Sequence, residues 1–264
     1  MGYTNSPLVD YTKLSPNVYG KRTEAISRIT LHCFVGQVTV ERGCEVFIPK
    51  TRKASCNYVI GKDGRIGLCV EEANASMCSS SRANDNKAIT VECASDTEHP
   101  YAMNEKVYDS IIKLCTDICK RNGASKLIWL SDKKLALAYI PKSGEMILTV
   151  HRWFKAKACP GDWLYSRLGD VASKVTKILE DEKKKPESKY PSVPFGVQVI
   201  IDNLNIREKP STKSTSKGVT GKGTFTIVEV SGDWGLLKSY QKSRNGWIYI
   251  SNTNYCKVLK TNSK

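Results

Sequence analysis

The sequence predicts a mixed α/β domain over residues 1–180, in which helices cover a mixed sheet, followed by a small all-β barrel over residues 197–264. Three observations carry this. Strand-like runs alternate with two amphipathic helical stretches as far as residue 180. A charged, proline-bearing run, Glu180–Pro194, then reads as a semi-extended tether, with the linker placed at 181–196. Beyond it come short β-rich runs at 197–201, 224–230, 234–239 and 246–250, separated by Gly, Ser, Asn and Lys turns. At 264 residues the chain suits one medium domain and one smaller one.

The elements follow in order. Arg28–Phe34 reads as a strand with Ile29, Leu31 and Cys33 on one face and Thr30, His32 and Phe34 on the other. Residues 56–60 and 65–70 flank Gly61-Lys-Asp-Gly64, a hairpin signal because Asp-Gly tolerates positive φ, and Tyr58 falls on the first arm. Ala88–Cys93 is a buried-looking strand with one carboxylate, Glu92, near its end. Such a charge is costly unless paired or used, or it is a strand-end residue that reaches solvent. Asn104 caps a helix running to about Arg121, stopped at Gly123. Residues 126–130 and 145–150 read as further strands, and Asp162 caps a last helix carrying Leu164, Leu168, Val171, Val175 and Ile178.

Composition narrows the classes. No apolar run approaches the roughly 18 residues of a membrane span, and the first residues lack an apolar signal region, so no membrane partner and no secretory export are expected. Gly2 followed by Ser6 fits the loose myristoylation pattern, but bulky Tyr3 and Thr4 fit it poorly. Ten cysteines without a signal are expected as thiols, and Cys33, Cys69, Cys93, Cys115 and Cys119 as small buried side chains. Cys115 and Cys119, one helical turn apart, imitate a metal pair but sit among apolar neighbours. The net charge of +15 is densest in the C-terminal quarter and attracts any polyanion. No aromatic–basic nucleic-acid motif accompanies it, so nucleic acid is not an expected partner.

The most informative stretch is Thr149–Asp162, which sets down His151, Lys157 and Cys159 within nine residues and stiffens the backbone at Pro160. Imidazole and thiolate are ligand types that Zn²⁺ prefers, but two are too few. Of the three histidines, His99 lies in a polar, acidic run that reads as a loop, which leaves His32 as the third ligand. A His/His/Cys set leaves the fourth tetrahedral position of one zinc ion open to water. On spacing alone the alternative stands: a satisfied half-buried histidine and an ordinary interior cysteine.

The strand ending in His32, the segments Asn57–Arg65 and Asp85–Glu92, and the run His151…Lys157-Ala-Cys159-Pro160 together resemble a known family over roughly residues 25–180. It is that of the zinc-dependent N-acetylmuramoyl-L-alanine amidases, shared by phage lysozyme-amidases, bacterial cell-wall recycling amidases and peptidoglycan recognition proteins. The resemblance implies His32, His151 and Cys159 as ligands of one Zn²⁺ and the amide between N-acetylmuramic acid and L-alanine as the bond cut. It further implies Glu92 as base and proton shuttle, Lys157 as oxyanion stabiliser and Tyr58 as a water- or substrate-orienting hydroxyl. Asn86, before the strand, is a candidate substrate contact or simply a turn residue. The alternative is a peptidoglycan-binding protein that does not cut; the cysteine ligand discriminates, because non-hydrolytic relatives commonly lack it and Cys159 is present here.

In the C-terminal part, Leu204–Pro210, Gly232–Lys238 and Asn245–Tyr249 resemble bacterial SH3-like cell-wall-binding domains. That likeness implies a barrel holding the enzyme on peptidoglycan, with Trp234, Trp247, Tyr240 and Tyr249 either lining a groove or, for the tryptophans, filling the core. The combined expectation is a phage endolysin acting on a Gram-positive wall, held in the host cytoplasm until release, with a bacterial autolysin as the alternative origin.

Overall fold

A computed structural model of the chain describes residues 3–184, 189–238 and 245–259. Gly2 and Tyr240, both singled out by the sequence, lie outside the described residues. The chain divides into two compact units, Met1–Lys185 and Pro186–Lys264. No helix among the described residues is long and apolar enough to cross a membrane.

In the first unit the strands are β1 (Tyr11–Thr12), β2 (Val18–Lys21), β3 (Arg28–Cys33), β4 (Tyr58–Ile60), β5 (Ile66–Leu68), β6 (Asn74–Ser76), β7 (Ala88–Cys93), β8 (Lys126–Ile128) and β9 (Glu145–Val150). The helices are α1 (Val40–Glu45), α2 (Arg82–Asp85), α3 (Glu105–Arg121), α4 (Lys133–Ala138), α5 (Asp162–Tyr165) and α6 (Leu168–Lys184). The main sheet has the order β1-β5-β4-β7-β3-β9-β8. From β4 to β8 neighbouring strands run parallel, whereas β5 returns antiparallel to β4. The carboxyl ends of β7, β3 and β9 therefore meet at one edge, where open α/β sheets build their sites.

Both faces of β3 and β9 are covered, so every residue after Arg28 in β3 and after Glu145 in β9 is buried. One face packs Leu31, Tyr58, Val91 and Val150 against α3 and α6. α3 is capped by Asn104, whose side chain accepts from the Val107 N–H, and it ends before Gly123 at φ +71°. The other face lies under α1, α2 and the two-stranded β2–β6 ribbon. There a polar layer forms beneath the site: Thr30 and Thr149 hydroxyls lie 2.8 Å apart, and the Asn84 amide donates to Thr30 at 2.9 Å. These buried groups satisfy one another and hold β3 against β9.

Two expectations are corrected at the C-terminal end of this unit. Asp162 does not cap the long helix; Gly161 precedes the short α5 without a side-chain cap, and the Asp162 carboxylate instead binds His99 and Arg152 at 2.8 and 2.9 Å. The inner stripe of α6 runs Leu168, Val171, Val175, Leu179, leaving Ile178 at 38% exposure, because the i, i+4 row takes the core side. All ten cysteines are free, and Cys33, Cys69, Cys93, Cys115 and Cys119 are buried.

The second unit consists of β10 (Phe195–Val199), β11 (Asn205–Arg207), β12 (Ser216–Val219), β13 (Gly223–Ser231), β14 (Trp234–Leu237), β15 (Trp247–Tyr249) and β16 (Cys256–Val258). They form one antiparallel sheet in the order β12-β11-β15-β14-β13-β10-β16. Its core is Phe195, Val197, Val199, Leu204, Ile206, Ile227, Leu237, Ile248 and Ile250, with Cys256. Trp234 and Trp247 are half-buried and outside that core.

Candidate active site

His32 ends up wholly buried one residue before the end of β3, and β7 brings Glu92 directly beside it in register. His151 follows the last residue of β9 and opens a single 3-10 turn, His151–Trp153. The chain then loops back so that the Cys159 carbonyl accepts from the Arg152 N–H at 3.1 Å. The Arg152 guanidinium clamps this loop by donating to Asp162 Oδ1 at 2.9 Å and to the Ala158 carbonyl at 2.5 Å. Gly161 turns at φ +81°, where an added Cβ would stand 2.9 Å from the Pro100 carbonyl oxygen.

These restraints deliver Cys159 Sγ to 3.3 Å from His32 Nδ1, and the two imidazole centroids lie 5.1 Å apart. One ligand atom from each of His32, His151 and Cys159 falls within 4.8 Å of the others. Ligands sharing a tetrahedral zinc ion at its usual bond lengths stand roughly 3.5 Å apart, so this donor set fits the ion in type and spacing. Ser80 Oγ lies 3.0 Å from His151 Nε2 and orients that ring.

Burial and neighbouring charge set the protonation of the three candidate ligands. Burial, then the neighbouring His151, holds His32 down at about 3, so it stays a neutral donor. His151 is lowered by burial and then by the charges of Lys157 and Lys155. The Cys159 thiol is pushed well up by a hydrogen bond with Cys33, by burial and by Glu92, so a positive charge is what would make it a thiolate.

Glu92 Oε1 lies 3.8 Å from His32 Nδ1 and 3.8 Å from the Cys78 thiol. Its Oε2 is buried with no hydrogen-bond partner among the described residues. Burial, with help from Cys33, raises its carboxyl to about 8. His32, Cys78 and Glu92 form a second ligand-type cluster that shares His32 with the first. Lys157 is exposed and lines the same groove, a cleft of about 570 Å³ whose other walls include Tyr19, Phe34, Phe47, Arg52 and Lys53.

Two candidates are displaced. Tyr58 pairs with Val91 in register, so it points to the face opposite Glu92 and His32. Its hydroxyl donates to Glu72 Oε1 at 2.6 Å and accepts from the Ser6 N–H at 2.8 Å, and burial followed by the Glu72 charge raises its pKa. It is a buried core residue on the face opposite the candidate ligands. Asn86 sits at the end of α2, where its amide exchanges hydrogen bonds with the Thr23 N–H at 3.0 Å and the Thr23 hydroxyl at 2.8 Å. It ties two loops together and does not line the groove.

Sequence reasoning missed Cys78, Ser80, Arg52 and Lys53. Cys78 and Ser80 lie in the plain run Met77-Cys-Ser-Ser-Ser81, which carries no spacing signal. In the second unit, Trp234, Tyr249, Tyr255, Asn203 and Arg207 line a cleft of about 490 Å³, with the Trp234 and Tyr249 rings edge to face at 5.3 Å. Trp247 does not line it.

The α/β domain gathers two imidazoles, a thiol and a half-buried carboxyl at the ends of its parallel strands, a donor set that fits a metal ion in type. More particularly, the chain belongs to the N-acetylmuramoyl-L-alanine amidase family, whose model matches residues 22–162. No curated protein sequence matches the chain. Among solved structures, the Staphylococcus aureus hydrolase AmiA in complex with its ligand is similar at TM-score 0.51 and 12% identity, over 70% of this chain and 89% of that one, which shows the fold. The catalytic domain of XlyA superposes at TM-score 0.46 and 12% identity over 63% of this chain and 99% of that one. The endolysin amidase LysCS from Clostridium intestinale does so at 0.42 and 14%, over 60% and 90%.

Proposed function

We propose that the first unit is a zinc-dependent amidase that cuts the bond between N-acetylmuramic acid and the L-alanine of the stem peptide, in an endolysin of phage origin that lyses a Gram-positive host. The observation that carries this reading is the meeting of His32, His151 and Cys159 ligand atoms within 4.8 Å beside the half-buried carboxyl of Glu92. A zinc ion, when bound there, supplies Lewis-acid polarisation of the amide carbonyl and acidifies water.

The chain's own residues do the rest. Glu92, with its carboxyl near 8, can take a proton from the attacking water and return it to the departing amine nitrogen near neutral pH. Lys157 places an ammonium in the groove for the charge that develops on the carbonyl oxygen. Phe34 and Phe47, whose rings meet edge to face at 6.1 Å, form an apolar wall that keeps water from part of the cleft.

The second unit is proposed as an SH3-like anchor on the wall, with Trp234 and Tyr249 at its cleft, raising the local concentration of the amidase on its insoluble substrate. Its basic balance suits a teichoic-acid-bearing surface. The protein then waits in the host cytoplasm and meets the wall on release.

The test is clearing of a Gram-positive wall suspension with and without a chelator, scored by chemistry. New amino termini that vanish with chelator support the reading. New reducing sugar ends would show a glycosidase, and retention on walls without cutting would show a binding protein.

A further inference from the structure

The groove beside the candidate ligands has a one-sided charge. Arg52, Lys53, Lys155 and Lys157 all line it, against the single carboxyl of Glu92. None of the four cations has an ion-pair partner among the described residues. Elsewhere in this unit arginines near carboxylates are paired, as Arg65 is with Glu41 at 2.5 Å, Arg121 with Glu72 at 2.6 Å and Arg152 with Asp162 at 2.9 Å. Four unpaired like charges around one cleft repel each other, a cost that an anionic occupant removes.

Arg52 and Lys53 are separate from the loop that carries Lys155 and Lys157. They close the 3-10 turn Lys50–Arg52, with Lys53 turned at φ +48°. Arg52, Lys53 and Glu92 line the same cleft. Both residues are exposed. The guanidinium fork matches a carboxylate with two parallel hydrogen bonds, which a carboxamide cannot reciprocate because half of it is a donor.

We propose that Arg52 and Lys53 make this groove selective for stem peptides whose carboxyl groups are free, over those in which a carboxyl is masked as a carboxamide. The inference rests on the amidase reading for what occupies the cleft, and adds which chemical form of that peptide is taken. The apolar wall of Phe34, Phe47 and Met77 then receives the aliphatic parts of the peptide between its charges. Lys155 and Lys157 add to the same field from the ligand-bearing loop, so discrimination is expected to weaken with salt.

The test uses two muramyl-peptide fragments identical except that one carboxyl is free in the first and a carboxamide in the second. kcat/KM is measured on both for the full-length protein, for Arg52→Gln, for Lys53→Asn and for the double variant, asparagine being chosen because it tolerates the left-handed backbone. Binding of both fragments to zinc-stripped protein is measured by calorimetry in parallel. The free acid is expected to be favoured by roughly tenfold in kcat/KM and in Kd, the scale of one charge-assisted hydrogen bond. The single variants should shrink that ratio and the double variant should abolish it, the change falling mainly in KM.

Equal kcat/KM for the two fragments, or discrimination that survives in the double variant, would overturn the proposal while leaving the amidase intact. Cleavage of neither fragment with tighter binding of the acid would sink the amidase reading and support carboxylate selection. Displacement of the acid by an equal concentration of a short DNA duplex would mark a general polyanion groove and also overturn it.

Discussion

Cys159 Sγ lies 3.3 Å from His32 Nδ1 across 127 positions of sequence. Nothing local forces that meeting; it is made by the parallel pairing of β3 with β9 and by the Arg152 clamp on the loop beyond. The activity proposed here depends on it.

Removing metal is the most direct check of that dependence. Chelator-treated protein should lose wall-cutting activity and regain it with one equivalent of zinc. Cys159→Ser or His151→Ala should lower bound zinc, read by atomic absorption, from one ion per chain to well below one. Full activity in metal-free protein would end the zinc account.

Glu92→Gln separates chemistry from folding. It keeps the shape but removes the proton exchange, so kcat should fall by roughly 10²–10⁴ while zinc stays bound. Thermal stability should hold or rise, since an amide is cheaper to bury than a carboxyl with an unpartnered oxygen. A variant as active as the parent would remove Glu92 from the mechanism.

Lys157→Ala should cut kcat by about 10²–10³ if its ammonium meets the developing oxyanion. Because Lys157 is exposed and unpaired among the described residues, melting temperature should scarcely move. Unchanged turnover would reduce it to a loop charge.

Tyr58→Phe predicts the reverse pattern. The Ser6 N–H loses its acceptor and Glu72 loses one donor while keeping Arg121, so about 1–3 kcal/mol of stability should go. Turnover per folded molecule should not change. A large fall in kcat without a stability loss would restore Tyr58 to the site.

Trp234→Ala in the full-length chain should weaken retention on walls, seen by co-sedimentation, without altering hydrolysis of a small soluble fragment. Equal loss on both substrates would argue against a separate anchoring role for the second unit.

Much of this protein was legible from residue order. The His151, Lys157, Cys159 spacing lies within one loop, and the α3 stripe within one helix, so each is a local pattern read without knowing any neighbour. The charged run 180–194 reads as a tether by composition, but α6 continues to Lys184 and Tyr190 packs into the core of the second unit, while 185–188 lie outside the described residues. The face that Tyr58 takes is set by how β4 registers with β7, which pairs it with Val91 and Val59 with Glu92, and residue order alone does not state that register. Asp162 looked like a cap, yet Arg152 and His99 compete for its carboxylate from elsewhere in the chain.

By itself, then, residue order determined the two-part architecture, the two main amphipathic helices and three of the donors at the centre. Only the tertiary structure decided that Cys78 and Ser80 join them, that Tyr58 and Asn86 do not, and that Arg52 and Lys53 face the same cleft. The physical reason is that periodicity records which side of an element is apolar, whereas what stands opposite that side is selected by strand register and packing between distant segments.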